Sequence, residues 1–159
     1  MWFLSNIFWK KESKVEENIQ TEENTLNIAW DAKIFIEWNS DIKDKLDYSI
    51  ESLSVVDWIL WWFYEHFKWS APEWLLIEVW NNAGSYILET LRRNFWWKYY
   101  WYDDLNQPIL VTWEPEFWAS ILAIEKVKLR ITNWNEDNIP FFVEWFIQAI
   151  KNKESKMYV

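Results

Sequence analysis

The chain has 159 residues, 25 acidic against 16 basic side chains and a net charge of −9, which is one domain's length with an acidic surface. That balance excludes nucleic-acid binding, because neutralising phosphates needs clustered Lys and Arg, and the lack of cysteine excludes disulfides and thiolate metal sites. No apolar run nears the roughly 18 residues of a bilayer span, and no secretory leader is legible, so a cytoplasmic protein is expected, at most peripheral to the inner membrane.

Residues 1–11 place Phe3, Leu4, Ile7 and Phe8 on one helical face ahead of Lys10 and Lys11. Such a short amphipathic segment either makes weak contact with an anionic membrane surface or frays. Residues 12–27 carry Glu12, Glu16, Glu17, Glu22 and Glu23 among few apolar side chains and read as an acidic linker. Segments 1–11 and 12–27 together make a flexible N-terminal arm. A single folded domain is expected over 28–150, followed by a charged tail at 151–159. Residues 29–37 fit a short helix or a strand, and periodicity does not choose.

Ser49 is a candidate N-cap for a helix over 50–67, whose stripe is Leu53, Val56, Leu60, Phe63 and Phe67. Pro72 and Glu73 open the next helix, which runs to Asn94 with Leu76, Val79, Ala83, Tyr86 or Ile87, and Leu91 facing inward. Gly84 in its middle disfavours the helix and points to close approach of another element. Trp96-Trp97 stops this helix. Lys98 to Tyr102 and Ile109 to Thr112 then form a hairpin around the turn at 103–108, and a third short strand can follow near Trp113–Trp118. A helix over 120–131 uses Ile121, Ile124, Val127 and Ile131, with Glu125 and Lys128 on its wet side. After the Asn133-Trp134 turn, Asp137 and Asn138 cap a last helix in which Phe142, Phe146, Ala149 and Ile150 face the core. The expected fold is α+β, about four helices packed on a small antiparallel hairpin or sheet.

The chain holds 17 Trp and 1 Gly, whereas ordinary usage predicts about 11 glycines at this length. The pattern is read as glycine represented by tryptophan, since some reduced-genome bacteria translate UGA as glycine. The strong excess of Lys over Arg fits an AT-rich genome, where UGA would be frequent. Position agrees with composition. Trp96-Trp97 follows Arg92 and Arg93 where a helix-ending glycine is favoured, and Trp134 follows Asn133, where Asn-Gly is the common turn pair. Trp38 and Trp69 likewise sit in polar loop contexts.

Gly84, Tyr86, Ile87, Glu89, Arg93, Asn94, Phe95, Tyr99, Asp104, Asn133, Asp137, Phe141 and Phe142 form a pattern that resembles a family of small bacterial domains of unknown function. Its helix reads Gly-x-aromatic-aliphatic-Gly-Glu, then Arg-Asn-aromatic-Gly-Gly before an Asp-bearing hairpin, and Asn-Gly-x-x-Asp before an aromatic helix. Leu88 departs from it, as do Trp96, Trp97 and Trp134. The resemblance spans roughly residues 47–150 and implies an α+β fold with no assigned activity.

Glu89 is the carboxylate to single out, either a pocket acid tuned by burial and an arginine or a structural partner of Arg92 and Arg93. His66, the only histidine, suits a helix C-terminus better than catalysis. Asp103-Asp104 and Glu136-Asp137 are expected in solvated turns rather than around a metal, and no cofactor loop or metal set is recognised. The leading expectation is a non-catalytic domain that binds another protein. The enzyme alternative needs Glu89 to converge with Asp104 or Asp137 in a pocket. A carbohydrate-binding alternative needs literal tryptophans aligned on one exposed face.

Overall fold

A computed structural model describes residues 14–67, 69–114, 117–134 and 138–159. The amphipathic segment 1–11 and the cap residue Asp137 lie outside them. The fold is mixed α+β. Among the described residues there are five α-helices, one 3-10 helix and a four-stranded sheet, more helix than the four or so expected.

Helix α1 spans Lys14–Trp38, so the stretch expected as an acidic linker is helical from residue 14 onward. The same helix resolves the ambiguity at 29–37, because Ile28, Ala32 and Phe35 are all buried at helical spacing. A 3-10 helix follows at Ser40–Lys45. Helix α2 spans Leu53–Phe67, and its stripe Leu53, Val56, Leu60 and Phe63 is buried as expected, while Phe67 is exposed. The helix starts at Leu53, three residues later than expected, and Ser49 lies in the turn before it, where its hydroxyl accepts from Ser52 N at 3.1 Å.

Helix α3, Glu73–Phe95, is the centre of the molecule. Every residue from Asn82 to Leu91 is buried, so this half of the helix has no wet side. Helix α1 packs along it, and α4, Ala123–Thr132, crosses it where a side chain is missing. A β-carbon on Gly84 would stand 2.7 Å from Ile124 Cα, which is too close for any methyl group. The close approach inferred for Gly84 is therefore the α3–α4 crossing.

The sheet follows in the order β1 (Lys98–Tyr102), β2 (Gln107–Glu114), β3 (Phe117–Ile121) and β4 (Lys156–Tyr158). The first three strands are antiparallel neighbours; β4 joins β3 in parallel. Tyr99, Leu110, Ile121 and Tyr158 stand side by side across all four strands and face the helical core. Ile109, Val111 and Leu122 form a smaller cluster with Tyr100, Tyr102 and Met157. Two expectations are corrected here. Ser120 and Ile121 close a strand rather than open a helix, because ladder pairing to Val111 and Leu110 outweighs their fit to a helical stripe. The tail expected at 151–159 contributes β4, whose Tyr158 is buried and whose carbonyl accepts from Leu122 N at 2.9 Å. Helix α5, Ile139–Lys151, starts at Asn138, whose side chain accepts from Phe141 N, with Pro140 in the first turn. Among the described residues no helix is long and apolar enough to cross a membrane.

Candidate functional site

Tyr86, Glu89 and Arg93 share one face of α3 because they recur at intervals of three and four, and Asn94 flanks that face. Their targets are the turn before α2 and the start of β1. Glu89 is 1% exposed, yet its carboxylate is fully engaged. Oε1 accepts from Arg92 Nη2 at 2.8 Å and Arg93 Nε at 2.7 Å. Oε2 accepts from Arg92 Nε at 2.7 Å and from the Tyr99 hydroxyl at 3.0 Å. Arg92 thus grips the carboxylate with two parallel N–H groups, the strongest geometry such a pair has. Burial pushes the Glu89 carboxyl up, but hydrogen bonds from Arg92, Arg93 and Tyr99 and the charge of Arg92 outweigh it, and the group stays below its ordinary value. The Tyr99 hydroxyl moves far upward through burial and the neighbouring Glu89 charge, so it remains a donor.

The Arg93 guanidinium carbon lies 3.8 Å from the centre of the Tyr48 ring, and that ring stacks on Tyr86 at 4.9 Å. Tyr48 has a left-handed backbone with φ of 60°, and its backbone and ring both contact α3. Its N–H donates to the Tyr86 oxygen at 3.0 Å, and its carbonyl accepts from Asn94 Nδ2 at 2.8 Å. The Ser52 hydroxyl donates to Ser49 O at 2.7 Å, which leaves the Tyr86 hydroxyl to donate to Ser52 Oγ at 2.8 Å. Tyr86, Glu89, Arg93 and Asn94 are therefore one clasp, tying the turn before α2 and strand β1 to the central helix.

The remaining candidates are dispersed. Asp103 and Asp104 are exposed in the β1–β2 turn, at the opposite end of β1 from Tyr99. At about 3.3 Å per strand residue, that is over 10 Å from the carboxylate's tyrosine partner. His66 is exposed in the last turn of α2; Nδ1 meets Trp62 O at 2.8 Å and the ring stacks on Trp62. Asn133 follows α4 in extended backbone, and Trp134 lies in the turn with its ring 3.4 Å from the Arg130 guanidinium carbon. Trp97 stacks face to face on Phe95 at 4.4 Å, while Trp96 is exposed. The exposed indoles are spread over α1, α2, the α2–α3 turn, both ends of α3 and α5. Among the described residues no three His, Cys, Asp or Glu side chains gather as a metal site.

Sequence reasoning passed over a second polar node. Asp57 on α2 accepts from Arg130 Nε at 3.1 Å and Nη2 at 3.2 Å, and also from Ile139 N at 3.0 Å. Arg130 is buried and also donates to Trp134 O at 2.7 Å. One carboxylate thus joins α2 to α4 and supplies the first turn of α5. The available signal was an arginine on the core face of α4, which demands an anion. Compared with protein-family models, curated proteins and solved structures, the chain matches none.

Proposed function

We propose that the chain is a non-catalytic protein-binding domain of an acidic bacterial protein, acting in the cytoplasm, with residues 1–11 available for weak contact with a membrane surface. The observation that carries this reading is the saturation of Glu89. A carboxylate held by four donors, nearly without solvent, has no lone pair left for a substrate proton and lacks the raised pKa a general acid requires. Kinship with the small bacterial domain family is part of this proposal; five of the residues that carry the resemblance, Tyr86, Glu89, Arg93, Asn94 and Tyr99, take part in the clasp. With a net charge of −9, the favoured partner presents a basic face, and attraction between the two falls as salt rises.

The test is a tagged full-length chain, with and without residues 1–11, assayed for a saturable partner of defined stoichiometry at low and physiological salt. Retention that weakens with salt, and that Asp104→Asn leaves intact, supports the proposal. A turnover abolished by Glu89→Gln in chain that still folds would falsify it.

A further inference from the structure

Position 96 combines three observations that a tryptophan does not explain. Its backbone is left-handed, with φ of 60° and ψ of 31°, immediately after α3. Its N–H donates to Arg92 O at 2.7 Å, the single bond of a helix stop whose terminal residue is ordinarily glycine. Its side chain is 83% exposed. A bulky L side chain in this conformation crowds its own carbonyl, and here the indole gains almost no burial in return.

The same mismatch recurs elsewhere. Trp69 is 91% exposed, Trp74 65% and Trp30 62%, surfaces on which an indole loses the burial that makes it useful. Trp80 presents the opposite fault. Its Nε1 is buried without an acceptor among the described residues, although an indole N–H carries a hydrogen that needs one. The single residue given as glycine, Gly84, occupies a site no larger residue could fill. Glycine demand in this fold thus exceeds the glycine in the sequence, and tryptophan stands at a position that makes the demand.

We propose that position 96, and with it the highly exposed indole positions, is encoded by UGA and translated as glycine in the cells that make this protein. Helix α3 then ends on a glycine in the left-handed conformation it prefers, and the chain turns into β1 without strain. The scattered aromatic surface is, on this assignment, not a stacking face for sugars or a docking patch, and the acidic surface is what a partner meets.

The decisive measurement is the tandem mass spectrum of the tryptic peptide Asn94–Lys98 from protein isolated from the encoding cells, alongside its codons. UGA at position 96 with glycine in the peptide is the expected result. The left-handed strain at position 96 is tested separately on recombinant chains. W96G is expected to melt about 2–4 °C above W96A, since both remove the indole and only glycine relieves the left-handed strain. Tryptophan in the native peptide, or W96A melting as high as W96G, overturns the proposal.

Discussion

Glu89 illustrates how the sign of a pKa shift follows from competition between burial and partners. Removed from water alone, the carboxylate would be driven toward its neutral form. Two arginines and a tyrosine reverse that, so folding favours the ionised state. The stability this contributes is fully present above the unfolded glutamate value of about 4.3 and is lost as pH falls through the lower folded value. Glu89→Gln is therefore expected to cost about 2 kcal/mol at neutral pH, less than a fully enclosed pair because both arginines reach solvent and rehydrate. The variant should also lose less stability than the parent between pH 5 and pH 2, roughly the span in which such a group protonates. Urea titrations of both proteins across that range check both points; parallel acid limbs would contradict the ionised assignment.

At the scale of elements, the α3–α4 crossing depends on one small residue and the α2–α4–α5 junction on one carboxylate. Helix propensity alone predicts that Gly84→Ala stabilises α3 by about 1 kcal/mol. The crossing at Ile124 predicts the reverse, because the obstacle is backbone and cannot rotate aside. A net loss of about 2 kcal/mol is expected, read from the denaturation midpoint. Asp57→Asn removes the charge from a node shared by α2, α4 and α5, at an expected cost of about 2 kcal/mol. In a double-mutant cycle with Arg130→Met the two losses should fail to add by at least about 0.5 kcal/mol; additivity would show that the pair is not coupled.

For the whole molecule, the C-terminal strand closes the sheet. Without β4, strand β3 becomes an exposed edge and the Tyr158 ring leaves its place against Phe146. A chain ending at Glu154 is expected to lose about 2–4 kcal/mol, from the tyrosine's burial and the lost ladder bonds, and to self-associate with concentration. Sedimentation velocity together with thermal melting checks this. Unchanged sedimentation would mean that the β3 edge is protected by something other than β4. Association should also weaken at low salt, where the acidic surface repels its copies most strongly.

Local rules accounted for what is local. The cap at Asn138, the stripes of α2 and α5, the hairpin and the helix stop before β1 were all legible, because each depends on residues within a turn or two of one another. The α+β class followed from their order. What only the tertiary structure decided is pairing at a distance. The burial of α3 on all sides, the recruitment of residues 156–158 into the sheet and the Asp57–Arg130 node each need partners tens of residues away, whose meeting no periodicity encodes. Glu89 lies between the two regimes. Its arginines at three and four residues were readable from helix geometry, but whether the carboxylate faced a pocket or the core was decided by Tyr99 on β1 closing over it.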